Sequence, residues 1–150
     1  LDLHGIRYRE MLRTEFNIQE EIKSRKIPKL LLQPIIENAI THGVEATCEG
    51  QILISINGSF QGDNILISIS DNGAGIEPDR LVELKNEFNS QLRFSKKKSI
   101  GLSNVNDRIK LIYGETYGIS LDSTPQRGTK VTIMIPDSEL KEDKRECTKC

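Results

Sequence analysis

Apolar and polar residues alternate through "NILISISD". Ile65, Ile67 and Ile69 fall on one side and Leu66, Ser68 and Ser70 on the other, the period of a strand with one buried face. Asp71 continues the buried parity, and Asn72, Gly73, Ala74 and Gly75 follow it. A carboxylate aimed into a core is costly unless it is paired or meets a ligand. It can equally cap the turn that follows by accepting backbone N–H groups, and spacing alone leaves both readings open.

The rest of the chain shows the same two periods. "RTEFNIQEEI" alternates weakly around Phe16 and Ile18 and reads as an edge strand. From Pro28 the spacing becomes helical, with Leu32, Ile35, Ile36, Ala39 and Ile40 on one side, Pro34 within the first turns and Gly43 as the expected stop. "QILISI" (51–56) is a second strand, joined to 64–70 by "NGSFQGD", which predicts a hairpin link with Asn57-Gly58-Ser59 in the turn. Pro78 and Asp79 open a short helix carrying Leu81, Leu84 and Phe88. "NSQLRFSKKKS" (89–99) has no period and predicts a loop. Leu102, Val105, Ile109 and Ile112 define another helix, capped by Ser99 or Ser103 and ended by Gly114. "GISLDS" and "TKVTIMIP" close the domain, the second with Val131, Ile133 and Ile135 on one face. Helices interspersed with hairpin-like strands predict a two-layer α/β sandwich, an α+β fold with helices on one face of a mixed, mostly antiparallel sheet.

Composition narrows the function classes. With 150 residues, 36% hydrophobic and 29% charged, the chain suits one soluble globular domain rather than a disordered segment. A formal charge of −1, no Trp and 5% aromatics point away from nucleic acid. No stretch is long enough to span a bilayer and no signal peptide is visible. The start at Leu1 is what a piece of a longer protein would show. Cys147 and Cys150 form a C-x-x-C in the charged tail, but zinc needs four ligands and no second pair exists.

Motif chemistry removes more. No P-loop occurs, and Pro78 stands where a Rossmann G-x-G-x-x-G needs its third glycine. With His4 and His42 the only histidines, and no Ser or Cys in a nucleophile setting, protease and esterase readings fall away. What remains is an ordered set: "IIENAITHG", "DNGAGI", "SIGLSNVNDRIKLIYG" and "RGTKVTIMIP". In this order they resemble the N, G1, G2 and G3 boxes of the GHKL (Bergerat-fold) ATPases, which include gyrase, MutL, the heat-shock chaperones and histidine kinases. The finer wording, "IPKLLLQPIIENAITHG" with "GLSNVNDRIKLIYG", resembles LytS/YesM-type sensor histidine kinases.

The resemblance implies an ATP-binding catalytic domain over 27–137, with 1–26 as lead-in and edge strand and 138–150 as a charged tail. By it, Asp71 accepts a hydrogen bond from the adenine amine, with Gly73, Gly75 and Ile76 bringing backbone against the base. Asn38 matches the Mg²⁺-binding asparagine, a hard amide oxygen suited to that ion. His42, one turn on, reaches toward the phosphates or packs at the helix end. Gly101 and Leu102 offer N–H groups at a helix start, with Asn104 as a further contact. Thr129 matches the G3 threonine, a partner of Asp71 or of a bridging water. Lys96, Lys97 and Lys98 lie in the family's ATP lid. Two departures stand out. Pro34 occupies the position of the general-base Glu of the family's hydrolases, which favours keeping the γ-phosphate for transfer. Thr41 replaces a phosphate-binding Lys of many histidine kinases, and Glu37 points about 100° away from Asn38.

The implied function is phosphoryl transfer from Mg-ATP to a histidine on a dimerisation domain outside this chain. His4 lacks the surroundings of an acceptor, so the chain alone is not expected to phosphorylate itself. A response regulator downstream and a homodimeric, membrane-anchored parent with this domain in the cytoplasm are implied by resemblance only. The alternative is an ATP-binding regulatory module without phosphotransfer.

Overall fold

A computed structural model of the chain describes residues 11–46, 50–89 and 101–137. The elements run β1 (Leu12–Ile18), α1 (Glu20–Lys23), α2 (Lys29–Ala46), β2 (Ile52–Gln61), β3 (Asn64–Asp71), α3 (Pro78–Asn89), α4 (Leu102–Tyr113), β4 (Gly118–Thr124) and β5 (Gly128–Pro136). They form one five-stranded sheet in the order β1-β2-β3-β5-β4. β1 pairs parallel with β2, and the other three pairings are antiparallel, so the sheet is mixed and mostly antiparallel.

Register explains why one face is apolar. Ile56 lies opposite Ile69, Ile69 opposite Val131, and Val131 opposite Leu121. Ile67 and Ile119 flank Ile133, and Ile65 faces Ile135. All but Ile119 are buried, beneath Leu31, Ile35 and Ala39 of α2, Leu84 and Phe88 of α3, and Val105 and Ile109 of α4. The opposite face carries rows of small polar residues, such as Asn57, Ser68, Thr132 and Ser120. This is the two-layer sandwich that the alternation predicts.

Four local expectations are corrected. Asn57, Gly58 and Ser59 are not in a turn: β2 runs on to Gln61 and only Gly62 and Asp63 make the link. Gly58 is in the strand because Ile18 of β1 packs where its side chain would be, 3.1 Å from an added Cβ. Gly43 does not stop α2, which continues to Ala46. There the missing side chain leaves room for Ile52, whose Cγ2 would lie 2.6 Å from a Cβ. Pro34 lies inside α2, in its second turn, within the helical pattern as expected. Ile112 is 51% exposed, off the buried stripe that Val105 and Ile109 define. Among the described residues no Ser caps α4: its N-cap is Gly101, without a side-chain bond, while Gly114 ends the helix as expected. Ser99 itself lies outside the described residues.

Candidate functional site

Between the sheet and the helices, at the carboxyl end of β3, lies a cavity of about 310 Å³, within the size range of small-ligand sites. Helical spacing brings Ile35, Asn38, Ala39 and His42 of α2 to one side of it. The strands contribute Ile69, Asp71, Thr129 and Val131; Ile76, Arg80 and Leu84 form the α3 side; Gly101 and Leu102 stand at the α4 start. The wall is an apolar slot with a few polar groups at its ends. A larger, more open hollow of about 440 Å³ near Lys110 and Tyr117 collects none of the candidate ATP-binding residues.

Asp71 holds the position its parity predicts, with Ile54 as its cross-strand neighbour. Its Oδ1 accepts the Gly73 N–H at 2.8 Å. Burial pushes the carboxyl above its ordinary range, and the N–H groups of Gly73 and Thr129 and the nearby His42 offset only part of that. Asp71 is therefore both a turn cap and a wall group of the cavity. Among the described lining residues it is the one carboxylate.

The glycines act by what they leave out. Gly75 has φ +70°, and a side chain there would run into the Thr124 carbonyl. Gly128 has φ +98°, and a side chain would overlap the Asp71 carbonyl. Both are conformations and approaches that glycine allows. Gly73 lets the turn close over α2, since a Cβ would lie 2.9 Å from Asp71 Oδ1 and 3.1 Å from the His42 carbonyl. A Cβ at Gly101 would come within 2.9 Å of Asn38 Nδ2, so the asparagine amide and the α4 start meet directly.

Of the other expected residues that are described, His42 and Thr129 line the cavity and Glu37, Thr41 and Asn104 do not. His42 lines the cavity near Asp71. The hydroxyl of Thr129 meets Ser123 Oγ at 3.0 Å, and it is the Thr129 backbone N–H that bonds Asp71. Glu37 and Thr41 stay off the cavity: Glu37 Oε1 accepts from Gln33 Nε2 at 2.9 Å, and the Thr41 hydroxyl donates to the Glu37 carbonyl at 2.9 Å. Asn104 is exposed and does not line the cavity. Lys96, Lys97, Lys98, His4, Cys147 and Cys150 lie outside the described residues.

Sequence reasoning missed Arg80 and Ser123. The Arg80 guanidinium lies 2.8 Å from Glu83 and 3.7 Å from Glu87, and the Ser103 hydroxyl donates to Glu87 at 3.3 Å. Glu87 thus ties α3 to the first turn of α4. The i, i+3 and i, i+7 spacing of these charges was visible, but not that they border a cavity.

Among the described residues no group of three or more His, Cys, Asp or Glu is placed to hold a metal ion. Asn38 offers a hard amide oxygen near the α4 start. That fits Mg²⁺ arriving with a polyphosphate, since the ion keeps waters and takes its remaining oxygens from phosphates.

The family model described as histidine kinase-, DNA gyrase B- and HSP90-like ATPase matches residues 26–139. The chain is 32% identical over 136 residues to sensor histidine kinase YesM of Bacillus subtilis, covering 91% of this chain and 22% of YesM. It is 34% identical over 132 residues to sensor histidine kinase YpdA of Escherichia coli, covering 87% of this chain and 21% of YpdA. The chain thus spans about a fifth of these relatives. The solved catalytic domain of histidine kinase ThkA is similar in fold, with a TM-score of 0.59 at 20% identity over 90% of this chain and 86% of that one. ThkA has also been solved in complex with the response regulator TrrA, and that chain aligns with a TM-score of 0.58 at 16% identity over 90% of this chain and 37% of its own.

Proposed function

The chain belongs to the histidine kinase-, DNA gyrase B- and HSP90-like ATPase family, and on that premise we propose that it is the catalytic, ATP-binding domain of a two-component sensor histidine kinase. Residues 27–137 are the ATP-binding catalytic region, 1–26 supply a lead-in and the edge strand of the same domain, and 138–150 are a charged tail. What supports the reading most directly is that Asn38, Asp71, Gly101 and Thr129, from four separate segments, border one apolar slot.

In this reading the adenine ring lies in the slot among Ile69, Ile76, Leu84 and Val131. Asp71 accepts from its exocyclic amine, and a 6-keto purine has no proton to offer there. His42 flanks the base end. Gly101 and Leu102 N–H groups, at the positive end of the α4 dipole, face the phosphates. Asn38 holds Mg²⁺ through its amide oxygen. That ion supplies charge neutralisation on the phosphate oxygens. An imidazole nitrogen of a separate dimerisation domain attacks the γ-phosphorus as the bond to the β-phosphate oxygen breaks, leaving ADP and a phosphohistidine. The chain's own contribution is orientation and electrostatic stabilisation. Pro34, at the position of the hydrolases' base, supplies no group to activate water.

The relatives' names support a parent that is a sensor kinase, and we place this domain in the cytoplasm of a membrane-anchored homodimer serving a response regulator. The test is titration with Mg-ATP and Mg-GTP, followed by incubation of the chain and γ-labelled ATP with a separately prepared dimerisation domain. Binding of ATP alone and acid-labile phosphate on the acceptor are expected. ATP binding with no transfer would turn the assignment to a regulatory ATP-binding module.

A further inference from the structure

Ser123 was not singled out by any motif, yet its hydroxyl makes three hydrogen bonds beside the cavity. It stands on β4 directly opposite Thr129 on β5. Its Oγ accepts the Ile76 N–H at 2.8 Å, donates to the Gly128 carbonyl at 2.9 Å, and lies 3.0 Å from Thr129 Oγ1. One side chain therefore joins the chain after the Gly75 turn to both Gly128 and Thr129.

Proton counting fixes the direction of the last bond. A hydroxyl has one proton and two lone pairs. A carbonyl cannot donate and an N–H cannot accept, so the Ser123 proton points to Gly128 and one lone pair receives Ile76. The remaining lone pair faces Thr129, which must donate its own proton to Ser123. Thr129 then turns only lone pairs toward the cavity. Its backbone N–H is also committed, to Asp71.

We infer that Ser123 is a positioning residue for base selection: by taking the Thr129 proton it makes Thr129 a second acceptor beside Asp71. The inference rests on the cavity being the base pocket. Two adjacent acceptors match the two N–H bonds of one exocyclic amine, met directly or through a water. They offer nothing to a purine without that amine. A Thr129 that donated would instead serve a ring nitrogen, which both kinds of purine possess.

The experiment titrates ATP and purine riboside triphosphate, which lacks the 6-amine, into wild type, Ser123→Ala, Ser123→Thr and Thr129→Val. Wild type is expected to prefer ATP. Thr129→Val narrows that preference by about fivefold, the worth of one hydrogen bond, because only ATP loses a partner. Ser123→Ala narrows it similarly by freeing the Thr129 proton to turn into the cavity, and Ser123→Thr, which keeps a hydroxyl, restores it. If Thr129→Val weakens both nucleotides equally, Thr129 donates and the inference is overturned. That variant decides the point even if Ser123→Ala fails to fold. A wild-type preference untouched by a folded Ser123→Ala overturns the role of Ser123 alone. Equal binding of both nucleotides by wild type overturns the base-pocket reading together with the inference.

Discussion

Replacing Asp71 by Asn keeps the shape of the side chain and reverses part of its hydrogen-bonding role. In the wild type the carboxylate accepts the N–H groups of Gly73 and Thr129. An asparagine keeps those partners only by turning its oxygen to them, which leaves its NH₂ toward the cavity. A base amine then meets a donor where it had a charged acceptor. A hydrogen bond to a charged group contributes about 1.5–3 kcal/mol, and tenfold in affinity is about 1.4 kcal/mol. ATP binding is therefore expected to weaken about 10- to 100-fold by calorimetric titration. Stability should move differently. Burial raises the Asp71 pKa above its ordinary value, so between the unfolded and folded values the native chain holds more protons than the unfolded one. Its stability falls as pH rises through that window. At neutral pH the ionised carboxylate is thus a net cost that asparagine does not carry. Urea unfolding without nucleotide should find Asp71→Asn at least as stable as wild type at pH 7. Wild-type ATP affinity should also fall as pH is lowered through the raised pKa, with no such slope in the variant. A variant that loses more than about 1 kcal/mol of stability, a typical cap effect, while binding ATP normally would refute the reasoning and leave Asp71 a turn cap only.

Asn38→Ala should abolish the Mg²⁺-dependent part of ATP affinity while leaving adenosine binding intact, measured by titration with and without chelator. Asp137, 1% exposed, pairs with Arg25 at 3.0 Å. Asp137→Ala removes the carboxylate of this largely buried pair and should cost about 3 kcal/mol in urea unfolding, whereas the joint change Arg25→Met and Asp137→Leu should recover most of it. Ile109→Ala, at a fully buried position, should cost about 2–5 kcal/mol. Ile112→Ala, one turn on but half exposed, should stay within about 0.5 kcal/mol, and equal losses at the two would contradict the observed rotation of α4.

Legibility in the sequence followed how local the cause was. β3 and β5 were readable because each strand carries its own alternation, and α4 because Val105 and Ile109 recur within one element. The parallel pairing of β1 was not, since nothing in "RTEFNIQEEI" encodes its partner; register with Ile52 to Gly58 of β2 is a property of two segments. Glycine was misread twice for the same reason. Gly43 and Gly58 look locally like a stop and a turn, yet each is small because a distant isoleucine, Ile52 or Ile18, fills its side-chain space. Asn38, Asp71, Gly101 and Thr129, which line the cavity, stood out because the order of their motifs is distinctive, while Ser123 and Arg80 were missed because their partners arrive only through the sheet register and the packing of α3.

Asp71 shows how the two kinds of information combine. Parity pointed the carboxylate inward, and chemistry left a choice between a cap and a ligand acceptor. The structure makes these one arrangement: the Gly73 bond that caps the turn also holds the carboxylate against the cavity. A cap alone does not require a cavity beside it, nor burial deep enough to raise the pKa. A group that only capped would gain by moving into water or by yielding to asparagine, which accepts the same N–H groups without a charge. A charged oxygen at the end of an apolar slot is what the proposed ligand, with an N–H to donate there, would account for. Reading Thr129 as a second acceptor accounts for why that ligand should carry an amine rather than a lone ring nitrogen.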